Sequence, residues 1–118
     1  MWIGTEALKT GLPPKGELVF EPGGAGSVLA DGALRRKFLW MHQARGRLQI
    51  SGRRLDGDAP PLQSVVPEGF EAQDIQPTSL IFPTTGCWEV TGRIGEHRVT
   101  FVLRVVKIGD GPARVPEV

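Results

Sequence analysis

Few side chains in this sequence are equipped for covalent or metal chemistry: one cysteine, Cys87, two histidines, His42 and His97, and a close pair of acids, Asp56 and Asp58. A thiol acts as nucleophile or ligand in its thiolate form, which a neighbouring histidine, cation or metal must favour. Zinc asks for three or four protein ligands, and a copper site would add a histidine and a methionine near the cysteine. No methionine follows Cys87. Asp56 and Asp58 stand in DGDAPP with no evident partner acid for hydrolysis, so turn formation is the role their surroundings predict. No serine has the Gly-x-Ser-x-Gly setting of a nucleophile elbow, and PGGAGS lacks the Gly-Lys-Ser/Thr ending of a phosphate loop.

Strands must position these residues. A chain of 118 residues suits one domain, and its 16 glycines and 10 prolines fall in short clusters between apolar runs, the punctuation of strands and tight turns. No long stretch keeps a helical apolar period. ELVFE, Glu17 to Glu21, and TSLIF, Thr78 to Phe82, read as strands, and the N-terminal MWIGTEALKTGLPPKG reads as an edge strand or loop. In LRRKFLWMHQ, Phe38 and Trp40 share one face while Leu39 and Met41 share the other, so both faces are apolar. GRLQISGRRL alternates cleanly, with Leu48, Ile50 and Gly52 on one side and Arg47, Gln49, Ser51 and Arg53 on the other.

The end of the chain is the most informative. CWEVTGRI and HRVTFVLRVV are joined by Gly95-Glu96, and a glycine first in a two-residue loop suits a type II′ turn. That turn pairs Ile94 with His97, Gly92 with Val99, Val90 with Phe101 and Trp88 with Leu103, an almost wholly apolar row. The opposite face pairs Arg93 with Arg98, Thr91 with Thr100, Glu89 with Val102 and Cys87 with Arg104. A slip of one residue would expose the whole apolar row. Trp88 and Trp40 are predicted core residues, and the indole N–H of Trp88 needs an acceptor. Cys87 lies on the order of 24 Å from His97 in this register, on the opposite face. Only His42 could join it. Arg104 could lower the thiol's pKa and make Cys87 a reactive thiol if solvent reaches it, but free cysteine most often packs as a small apolar group, which is the reading adopted.

These residues carry a resemblance. The final hairpin resembles the last hairpin of bacterial immunoglobulin-like sandwiches. SGRRLDGDAPPL and FPTTGCWEVTGRIGEHRVTFVLRV are similar to segments of an uncharacterised group of exported bacterial proteins, many of them predicted lipoproteins. The resemblance covers about half the chain and implies an immunoglobulin-like fold and an extracytoplasmic address, secreted or lipid-anchored, with leader and anchor lying outside this chain. It implies no activity. The paired cysteines of antibody domains are absent, since Cys87 stands alone.

The expected fold is an all-β, immunoglobulin-like antiparallel β-sandwich of about seven strands, occupying residues 1–108 and ending in a hairpin from Cys87 to Val106, with a loosely ordered tail over 109–118. Fourteen basic residues nearly cancel thirteen acidic ones, leaving a net charge of +1 and no long-range field to attract nucleic acid. No apolar run reaches the length of a membrane span. With no catalytic constellation in view, the expected function is non-enzymatic: a cell-envelope interaction module that needs no cofactor and binds a protein or envelope component. Trp2, Arg35, Arg36, Arg53 and Arg54 are its candidate partner-binding residues. The alternative is a small-ligand or metal-binding sandwich using His42 or Cys87.

Overall fold

The turn chemistry divides the chain into short strands that alternate between two layers. The computed structural model describes residues 1–115, and no helix among them is long and apolar enough to cross a membrane. In chain order the strands are β1 (Trp2–Gly4), β2 (Lys9–Gly11), β3 (Glu17–Phe20), β4 (Ser27–Val28), β5 (Leu34–Met41), β6 (Gln49–Arg54), β7 (Gln63–Val65), β8 (Ile75–Phe82), β9 (Gly86–Ile94) and β10 (His97–Lys107). One sheet runs β1-β2-β5-β8-β7, with β4 also on β5, and the other runs β3-β10-β9-β6. Taking β5 to β10 as strands B to G, the layers are A-B-E-D and A′-G-F-C, the immunoglobulin arrangement.

Among the described residues the sandwich of about seven strands is divided into ten, because its first strand is broken into β1 to β4. Pro13, Pro14 and a left-handed Lys15 stop β2 and carry the chain to the other sheet as β3, and the glycine-rich run after Pro22 returns it to β5 as β4. Every strand pair is antiparallel but one, β3 lying parallel to β10 with Arg104 beside Glu17 and Val106 beside Val19. The closing hairpin has the register expected for it at every position from Cys87 to Arg104. Gly95 has φ +58°, a conformation that glycine adopts without steric cost.

The inner faces of the two sheets enclose one core. Trp40, Trp88, Phe20, Phe82 and Leu103 are fully buried in it. Phe38 stacks on Phe101 with centroids 6.0 Å apart, Trp40 tilts against the same ring, and Phe82 meets Trp88 edge to face. Such pairs add about 0.5–1.5 kcal/mol each to the area they bury. The indole N–H of Trp88 finds its acceptor in the Thr84 carbonyl at 3.0 Å. A smaller cluster of Leu29, Ala33 and Ile81 lies apart, with Val115 packed against it. Leu39, on the outer face of β5, is 43% exposed.

Of the segment expected to be a loose tail, residues 116–118 lie outside the described residues. Before them Gly111 and Pro112 are buried, and the chain runs beside β4 with hydrogen bonds from Val28 N–H to the Ala113 carbonyl and from Val115 N–H to the Val28 carbonyl.

Candidate functional site

Cys87 is the second residue of β9, on the outer side of the four-stranded sheet opposite Arg104, and is half-buried. Its backbone N–H donates to Asp56 Oδ1 at 3.0 Å, and Arg54 Nε donates to the same oxygen at 3.0 Å. Its carbonyl accepts from Leu55 N–H at 2.7 Å. The turn DGDAPP is thus tied to the start of β9 through one carboxylate. The Cys87 N–H, with Arg54 beside it, lowers the pKa of Asp56 from the ordinary 3.8. Arg54, Arg104 and Lys107 surround this open hollow of about 370 Å³. No histidine lines it.

His42 follows β5 and is buried, its Nδ1 held by the Ala44 carbonyl at 2.7 Å and its Nε2 without a hydrogen-bond partner. A close N–O contact of this kind assigns the proton to Nδ1, because a carbonyl only accepts. His97 sits exposed at the hairpin tip, opposite Ile94. Among the described residues, no three side chains of His, Cys, Asp or Glu gather in a geometry that would hold a metal ion.

The five residues singled out for partner binding separate into two groups. Arg53 and Arg54 belong to β6 and are paired, Arg53 with Glu89 at 3.2 Å and Arg54 with Asp56 at 3.0 Å. Trp2, Arg35 and Arg36 lie around the free stretch of the β5 edge. There β2 pairs with β5 at Trp40 and Met41, and β4 pairs with it at Leu34 and Arg35, so among the described residues Arg36 to Leu39 have no strand beside them on that side. Two hollows of about 410 and 210 Å³ flank this notch and share Arg36 and Lys37.

Each residue at the notch has a distinct state. Trp2 is 55% exposed, with the Lys9 ammonium 5.4 Å from its ring centroid. Arg36 reaches across to the other layer, donating to the Val19 carbonyl at 3.3 Å and lying over the Phe20 ring. It seals the open side of the core. Arg35 and Lys37 make no ion pair among the described residues, and neither does Arg36. Lys37 and Leu39 are exposed beside Trp2.

Sequence reasoning left one further group without a role. Arg93 and Arg98 face each other near the hairpin tip, with Gln49 of β6 beside Arg93, above a row of Ser51, Thr91 and Thr100. Their like charges in one register were the available signal; the third strand, β6, becomes visible as their neighbour only in the folded molecule. Neither protein-family models nor curated proteins give a match to this chain.

Proposed function

We propose that this protein is a non-enzymatic interaction module of the bacterial cell envelope, working outside the cytoplasm, and that the notch on the edge of β5 is its docking surface. The observation that carries the reading is the juxtaposition of exposed Trp2 and Leu39 with Arg35 and Lys37, which among the described residues have no carboxylate partner and lie along a stretch of sheet edge that no described strand covers. An extended polypeptide segment carrying acidic side chains fits that chemistry. Its backbone would pair with β5 at Lys37, since the Leu39 carbonyl already accepts from the Thr10 hydroxyl at 2.7 Å, its carboxylates would meet Arg35 and Lys37, and an apolar side chain would lie against Trp2. Tryptophan beside a charged rim is the usual composition of an energetic centre in an interface. The exported address is supported by the two segments that resemble exported bacterial proteins.

The test is capture from a cell-envelope extract, followed by measurement of the recovered protein against variants. Trp2→Ala and Lys37→Glu should each weaken binding about tenfold or more, as expected for a centre of this type, and Arg53→Ala should leave it unchanged. Binding indifferent to Trp2→Ala and Lys37→Glu would remove the notch from the function. Turnover of ester, glycan or peptide substrates that survives purification would remove the non-enzymatic reading.

A further inference from the structure

The outer face of the four-stranded sheet holds an arrangement that the fold does not require. Arg93 and Arg98 are directly opposed across β9 and β10, where like charges destabilise a sheet. The register that brings them together is set by the apolar inner face, so any other polar pair would serve the hairpin equally well. Among the described residues Arg45, Arg47, Arg53 and Arg54 each pair with a carboxylate, whereas Arg93 and Arg98 do not. Glu89, on the same face, is held by Arg53.

Other contacts make the group rich in donors. Arg93 Nη2 donates to Gln49 Oε1 at 2.8 Å, which orients the guanidinium and uses the amide's acceptor, leaving the Gln49 NH₂ to donate. The Thr91 and Thr100 hydroxyls are 2.9 Å apart. One of them donates to the other, so one proton of the pair is still available to a further acceptor. Gln49, Ser51, Thr91, Arg93 and Arg98 line an open hollow of about 360 Å³.

We propose that this hollow binds a phosphate group carrying two negative charges, either inorganic phosphate or a phosphate monoester. Two guanidiniums without carboxylate partners call for about two negative charges, which phosphate carries near neutral pH and a carboxylate does not. Several terminal oxygens can accept at once from both arginines, the amide and a hydroxyl. The bound anion also cancels the repulsion between Arg93 and Arg98, so binding raises stability by mass action. The site lies on the other sheet from the notch at β5 and stands independently of that reading.

The full chain is titrated with sodium phosphate and with glycerol 3-phosphate, against sodium chloride and sodium acetate at matched ionic strength. Thermal unfolding and backbone amide shifts are followed. Both phosphates should raise Tm and move the amides of Ser51, Thr91, Arg93 and Arg98 in a saturable way, while chloride and acetate do neither. Arg93→Gln and Arg98→Gln should each lower phosphate affinity about tenfold or more, yet hold or raise Tm in phosphate-free buffer because the opposed charges are gone. A merely structural arginine would lower it. Glycerol 3-phosphate binding about tenfold tighter than inorganic phosphate would identify a monoester as the ligand, and equal binding would identify the phosphate group alone. Equal Tm gains in chloride or acetate, or an undiminished phosphate response in the double variant, would overturn the proposal.

Discussion

Gly92 on β9 lies against the indole of Trp40 on β5 so closely that a Cβ at position 92 would stand 2.5 Å from Cζ3 and 2.6 Å from Cη2 of that ring. The two residues belong to different sheets, and the absence of a side chain at one leaves the space that the ring of the other occupies in the core. Gly92→Ala should therefore destabilise the protein by about 1–3 kcal/mol, the usual range for overpacking a filled interior. Gly11→Ala, on β2 where a Cβ would meet nothing within 4 Å, should change stability by no more than about 0.5 kcal/mol. Urea denaturation midpoints of the two variants provide the comparison, and equal losses would contradict this account of the core.

The two buried tryptophans should respond differently to loss of the indole N–H. Trp88 donates to the Thr84 carbonyl, while the Trp40 N–H is buried without an acceptor. Trp88→Phe removes a made hydrogen bond and Trp40→Phe removes an unsatisfied donor, with similar losses of volume. The first should cost more than the second by about 1–2 kcal/mol. Chemical denaturation of both variants checks the order.

Asp56 links stability to acid. Its carboxylate accepts from the Cys87 N–H and from Arg54, and these bonds hold its folded pKa below the ordinary 3.8. A carboxyl with a lowered folded pKa contributes stability that is present above its unfolded value and lost as pH falls through the folded one. Stability should thus decline as pH drops below about 3.8, and Asp56→Ala should flatten that part of the curve while loosening the turn at Leu55 to Asp58. Denaturation series at pH 6 and below, on wild type and variant, measure the difference. A curve of the same slope in Asp56→Ala would remove Asp56 from the acid response.

Much of this architecture is legible along the chain. From Cys87 to Arg104 the alternation of apolar and polar residues and one glycine-led turn specify strand partners residue by residue, because the wrong register would place Trp88, Val90, Phe101 and Leu103 in water. Trp40 and Phe38 announce their face of β5 in the same way. The broken first strand is less legible. Whether PPKG and PGGAGS end a strand or pass it to the other sheet depends on which neighbours have free edges, and no local pattern carries that information.

The candidate sites divide along the same line. Trp2, Arg35 and Arg36 meet at the notch because β2 and β4 cover β5 only at its ends, whereas Arg53 and Arg54, equally conspicuous as a basic pair, are occupied by Glu89 and Asp56. The Arg93 and Arg98 pair can be read from hairpin register, but Gln49 reaches it from a strand more than forty residues away.

The sequence by itself determined the closing hairpin, its register and the aromatic residues that face the core from β5 and β9, since these follow from side-chain period and turn conformation, which act between near neighbours. Tertiary structure alone decided which charges are paired, which edge of β5 stays open and which glycine makes room for a ring. Those outcomes depend on contacts between strands and across two layers, and residues distant in the chain meet only when both sheets are in place.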